Sequence, residues 1–123
     1  MNVALWVAQI VLALAFLAAG LMKVSQPKDK LQASLPWTSD FSQGTVRLIG
    51  TAEVLGALGL ILPAVTGIAP ILTPVAATAL AVVMVLAAVV HARRKEPQAI
   101  GANVVLLLIA LFIAWGRFGA YAF

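Results

Sequence analysis

The stretch GTAEVLGALGLILP, Gly50 to Pro63, decides how this chain is read. It is apolar or small almost throughout, yet it carries a carboxylate, Glu53. Extended back to Thr45, the run approaches the ~20 residues that a helix needs to cross a bilayer core. A carboxylate that deep cannot face lipid without severe cost or an added proton, so it must face other helices. Gly50, Gly56, Ala57 and Gly59 surround it with small residues, which lets a neighbouring helix approach closely.

The rest of the chain agrees with a membrane reading. Its 123 residues make one small domain, 1–123, and 63% of them are hydrophobic against 10% charged. A soluble domain of this size has too much surface for its volume to hide that much apolar area. Four segments qualify as spans: 4–24, 45–63, 69–91 and 98–116. The expected fold class is all-α, a four-helix transmembrane bundle. The first apolar run is longer than a signal-peptide core and its flank "MN" has no Lys or Arg, so it is expected to be a retained helix.

The links carry their own information. Ala64 to Ile68 is a short turn, and Pro70 and Pro74 fall in the expected first turns of the third helix, where a missing N–H matters least. Ser25 to Gly44 is a long link, expected to be partly helical over Lys28 to Leu35. Its apolar residues Leu31, Leu35, Trp37 and Phe41 suit an interfacial segment, with Trp37 as an anchor or as part of a lid.

Topology follows from the basic residues. With four spans, the first and third links share a side, which receives Lys23, Lys28, Lys30, Arg47, Arg93, Arg94 and Lys95; the other side receives Arg117. This asymmetry places the two links in the cytoplasm of a multi-pass protein of the cell membrane, with both termini outside. Trp6, Trp115 and Tyr121 then form an outer aromatic belt, and Trp37 and Phe41 an inner one. The Arg93–Lys95 run reads as a topology determinant, with an anionic-lipid site as the alternative. Arg117 reads as a snorkelling residue at the outer interface. The net charge of +4 suggests no nucleic-acid partner, because topology already accounts for it.

Four polar residues from four helices are candidates for one layer. Gln9, Ala13, Phe16, Gly20 and Lys23 share a face of the first helix, and Ala77, Ala81, Met84, Ala88 and His91 share one of the third. Lys23, Glu53, His91 and Asn103 are therefore expected to meet in the cytoplasmic half. Two readings stand side by side: the layer glues the bundle, or it is a ligand or proton site. Gln9 in the outer half is open between glue and pore lining, and Met84 reads as packing. The absence of cysteine and the single histidine exclude iron–sulfur, thiolate and His-cluster chemistry, so no metal site, intrinsic cofactor or catalytic residue is expected.

The pattern resembles a known family. "LALAFLAAGLMKVSQP", "RLIGTAEVLGALGLILP" and "LTPVAATALAVVMVLAAVVHARRKE" are similar to the DoxX-like family of small four-helix membrane proteins, over about residues 10 to 117. The specific matches are Gly20 and Lys23, Gly50 and Glu53, the run Gly59 to Pro63, and His91. The resemblance implies a four-helix membrane bundle. The family takes its name from a subunit of a thiosulfate:quinone oxidoreductase, and other members are described as membrane partners of redox enzymes. It therefore implies a membrane subunit or scaffold that binds a quinone, a lipid-like ligand or a redox enzyme subunit, rather than a stand-alone enzyme. The alternative is a small transporter, in a homodimer, with Glu53 as the proton-coupling residue.

Overall fold

The structure, a computed structural model, describes residues 1–27, 30, 35–36, 41–119 and 121–122. Among them are four α-helices and no strand: α1 (Asn2–Ser25), α2 (Gln43–Thr66), α3 (Leu72–Arg93) and α4 (Pro97–Phe118). Each is long and apolar enough to cross a membrane, and together they form an all-α bundle. Of the proposed interfacial residues, Leu31 and Trp37 lie outside the described residues, as does most of the expected helix over Lys28 to Leu35. Leu35 and Phe41 are half-buried.

Helix ends differ from the sequence reading where local chemistry intervenes. α2 starts at Gln43 because Ser42 caps it: the Ser42 hydroxyl accepts from the Thr45 backbone N–H at 3.1 Å. It runs through Pro63, which can donate no bond to the Gly59 carbonyl, and continues one more turn. Gly67 then closes it in the left-handed conformation (φ 74°), its N–H bonding the Pro63 carbonyl at 3.0 Å. α3 starts at Leu72, three residues later than the expected Ala69. Ala69 itself adopts φ 47°, and Pro70 follows in the turn. Pro97 occupies the first turn of α4, where its missing N–H is harmless.

α1 packs on α2 and α4, and α3 on α2 and α4, so α1 and α3 stand on a diagonal. One end of the bundle, the terminal end, carries both termini and the α2–α3 turn. The other, the basic end, carries the remaining two links. The core centres on Leu12, Phe16, Leu60, Leu80, Ala110 and Ile113. Around it the outward faces are apolar and exposed, as lipid-facing surfaces are, including Leu14, Leu48, Leu86 and Leu108.

Candidate functional site

The register of α1 on α2 builds the site. A Cβ on Gly20 would lie 2.7 Å from the Gly50 carbonyl oxygen, and one on Gly50 would lie 2.8 Å from the Gly20 carbonyl oxygen and 2.7 Å from Lys23 Cβ. Only glycines allow this approach, so the helices cross there backbone to backbone. Along the pair Gln9 meets Leu60, Gly20 meets Val54, and Lys23 meets Gly50: the partner number falls as the first rises, so the helices are antiparallel.

Antiparallel packing aims the two charges at each other. Every Cα–Cβ bond in a helix tilts toward its own N-terminus. Lys23 therefore points from the basic end toward the bundle middle, and Glu53, on the opposed helix, points back toward the basic end. The Lys23 ammonium donates to Glu53 Oε1 in an ion pair. Glu53 is 2% exposed and Lys23 8%, so both charges have left solvent. The G-x-x-K and G-x-x-E spacings thus have a geometric reason: each glycine opens the crossing, and the charge one turn later reaches across it.

The other two expected members stand differently. Asn103 is buried, and its amide bonds backbone. In the orientation that satisfies both amide atoms, it donates to the Ala99 carbonyl at 2.9 Å and accepts from the Ala88 N–H of α3 at 3.3 Å. His91 meets Glu96 in the α3–α4 turn, Nδ1 to Oε1 at 3.0 Å, and Arg94 Nε donates to the same oxygen at 3.2 Å. Register explains the separation. Gly56 packs on Leu80 and Gly59 on Ala76, which sets Glu53 level with Val83. His91 is eight residues further along α3, about 12 Å nearer the basic end. The structure brings together Lys23 and Glu53.

Outside the membrane-spanning segments, Glu96 has its carboxyl held below the usual carboxylate range. The hydrogen bond to His91 is the largest cause; desolvation opposes it, and the Arg94 and His91 charges add to the lowering.

A second polar cluster was missed in the sequence. Arg117, expected at the interface, is 2% exposed. The tilt of its Cβ toward the start of α4 sends it into the bundle. Its Nε donates to Gln9 Oε1 at 2.8 Å, and its Nη1 donates to Asn2 Oδ1 at 2.6 Å and to the Tyr121 carbonyl at 2.8 Å. Its guanidinium lies over the Trp6 ring at 5.8 Å. Gln9, fully buried, passes the network on by donating to the Leu60 carbonyl at 2.8 Å. That carbonyl follows the one that Pro63 leaves without its helical donor. Gln9 is therefore glue among α1, α2 and α4. The signal was there in the spacing of Asn2, Trp6 and Gln9 on one face of α1. Gly116, which a Leu5 methyl would touch at 2.6 Å from an added Cβ, was likewise overlooked.

No group of three His, Cys, Asp or Glu residues that could hold a metal ion occurs among the described residues. An apolar groove of about 310 Å³ runs along the α1–α2 seam, with Ala13 and Ala57 among its small residues and Leu14, Leu17, Leu58 and Leu62 beside them. Ala57 is one helical turn from Glu53.

No curated protein and no solved structure is found to match the chain. The model of the DoxX-like family matches residues 7–113, from the first turns of α1 to the last third of α4. That span includes the Gly20–Gly50 crossing, the Lys23–Glu53 pair and most of each of the four helices, and on it the chain belongs to the DoxX-like family.

Proposed function

We propose that this integral membrane protein is a non-catalytic membrane subunit or scaffold that holds a lipid-like molecule, a quinone above all, at the α1–α2 seam. The observation that carries the reading is the buried Lys23–Glu53 pair one turn from an apolar groove. A buried ion pair holds helices no better than apolar residues of the same volume, because desolvation consumes most of the attraction. Its presence in a bilayer therefore favours a role beyond packing. The groove suits a hydrocarbon or isoprenoid tail. The ammonium and the carboxylate offer a donor and an acceptor to a headgroup bearing carbonyl or hydroxyl oxygens. Docking against a redox enzyme subunit in the membrane is compatible with the same surface.

A direct test uses the protein in nanodiscs with a short-chain ubiquinone as the probe. Binding at a hundredfold excess over Kd would stabilise the fold by about 2.7 kcal/mol. Leu14→Trp, which fills the groove and leaves the pair intact, should abolish the effect. A wild-type protein whose Tm does not respond to the probe would remove the quinone reading.

A second reading, a small proton-coupled transporter, is favoured by the same carboxylate. Proton-linked uptake into reconstituted vesicles that is lost in Glu53→Gln would select it. It needs a homodimer, and Gly20, Gly50, Gly56 and Gly59 are all engaged within the monomer; a dimer would use other faces.

The basic end carries Lys23, Lys30, Arg47, Arg93, Arg94 and Lys95 among the described residues. This supports a cytoplasmic position for that end in the cell membrane, with both termini outside. A reporter fused to the C-terminus that is active only in the cytoplasm should stay silent.

A further inference from the structure

The close contacts between helices are distributed unevenly along the bundle. At the terminal end and the middle, they join the α1–α2 pair to the α3–α4 pair. Gly59 packs on Ala76, Gly56 on Leu80 and Gly116 on Leu5, and Arg117 of α4 bonds Gln9 and Asn2 of α1. At the basic end, close contacts hold each pair together. Gly20 meets Gly50 and Lys23 meets Glu53 inside the first, and Asn103 meets the Ala88 backbone inside the second.

Burial follows the same division. At the basic end α1 and α2 bury Gly20, Lys23, Val46, Gly50 and Glu53. In contrast, no residue of α3 beyond Met84 is buried, and none of α4 before Asn103. The α3–α4 hairpin thus has a packed root and a loosely packed tip. Segments with few buried contacts open at low free energy, while well-packed ones move as rigid bodies.

We propose that the α3–α4 hairpin swings as a unit against the α1–α2 pair, pivoting on the Arg117–Gln9–Leu60 layer, so that the seam over Lys23 and Glu53 opens and closes at the basic end. The pivot is stiff because the Arg117 guanidinium bonds α1 at two points, Gln9 and Asn2, and is itself held by the Tyr121 carbonyl. The α1–α2 pair stays closed because two glycine carbonyls leave no room for sliding. The tip of α3–α4 carries the displacement. This motion belongs to the scaffold and needs no ligand, so it stands or falls apart from the quinone reading.

The chain has no cysteine, so spin labels report it cleanly. One double variant, Leu21→Cys with Val89→Cys, spans the α1–α3 diagonal at the basic end. A second, Val7→Cys with Val75→Cys, spans it at the terminal end. A third, Leu21→Cys with Leu48→Cys, stays within the α1–α2 pair and verifies that the labelled protein is folded. All five positions are exposed on the lipid-facing surface. In nanodiscs the basic-end distance distribution should be about twofold wider than the terminal-end one, or split into two peaks, with the within-pair control narrow. Adding Gln9→Leu to the terminal-end variant should broaden its distribution, because the pivot is weakened. Equal widths at the two ends with a narrow control, or a terminal end wider than the basic end, would overturn the proposal.

Discussion

Replacing Lys23 and Glu53 singly and together separates the attraction within the pair from the cost of burying it. Lys23→Met leaves the Glu53 carboxylate alone at 2% exposure. Glu53→Gln leaves the buried ammonium without its carboxylate. Each single variant should lose ~3–5 kcal/mol, as expected when one partner of a buried pair is removed. The double variant Lys23→Met/Glu53→Met replaces both charges by unbranched apolar chains of similar length. It should unfold within about 1 kcal/mol of the wild type or be more stable. The assay is reversible unfolding in mixed micelles as a complete double-mutant cycle. If the double variant loses the sum of the two single losses, the charges are not coupled and the geometry of the site has been misjudged. A stable double variant that no longer responds to the quinone probe would assign the pair to ligand binding rather than to packing.

Further outcomes follow from the same contacts. Gly50→Ala forces a methyl to 2.8 Å from the Gly20 carbonyl oxygen; backbone cannot yield cheaply, so a loss of about 1–3 kcal/mol is expected in the same unfolding assay. Gly101→Ala, with nothing within 4 Å, should be neutral or slightly stabilising through helix propensity, and serves as the control. Arg117→Met removes the donor to Gln9, Asn2 and the Tyr121 carbonyl, and should lower stability by at least ~2 kcal/mol, where a snorkelling arginine would be nearly silent. The Glu96 carboxyl titrates below an unfolded one. Its contribution is therefore present above the ordinary carboxylate value and lost as pH falls through the lowered one. Hydrogen exchange at Lys95 and Glu96 should quicken relative to the intrinsic rate over that acid range, and Glu96→Gln should remove the pH dependence.

Much of the fold was legible because the bilayer simplifies the problem. Helices are the obligatory solution where backbone groups cannot reach water, so four apolar runs of sufficient length specify four helices with few alternatives. The burial of Glu53 was legible for a similar reason. A carboxylate flanked by Gly50 and Gly56 must face a neighbour, but Lys23, His91 and Asn103 were all candidates to meet it. The helix ends were less legible, because Ser42, Gly67 and Ala69 act through backbone conformation rather than hydropathy.

What the sequence concealed was register. Depth counted from the end of each helix put His91 beside Glu53, but helices need not start level. Lys23, two residues before the end of α1, packs on Gly50, seven residues into α2, so α2 extends about 7 Å beyond α1 at the basic end. Glycine contacts fix that offset, and no property of a single helix encodes it. The direction of a side chain along the helix axis was the other missing quantity. Arg117 lies at the very end of α4, where hydropathy alone sends a charge outward to the headgroups. The bond from Cα to Cβ sends it inward instead, and Gln9 and Asn2 make the interior polar enough to keep it. The same tilt turns Lys23 away from the headgroups and toward Glu53. Two basic residues near opposite ends of the bundle thus both point to its middle, each because its helix terminates at the membrane surface with its C-terminus. In a helix that enters the membrane by its N-terminus the same residue type tilts outward, as Arg47 at the start of α2 does, and it is exposed. Reading the basic residues of such a bundle therefore requires the direction of each helix as well as its depth, and a cation in the last turn of a span is the one to examine as a site.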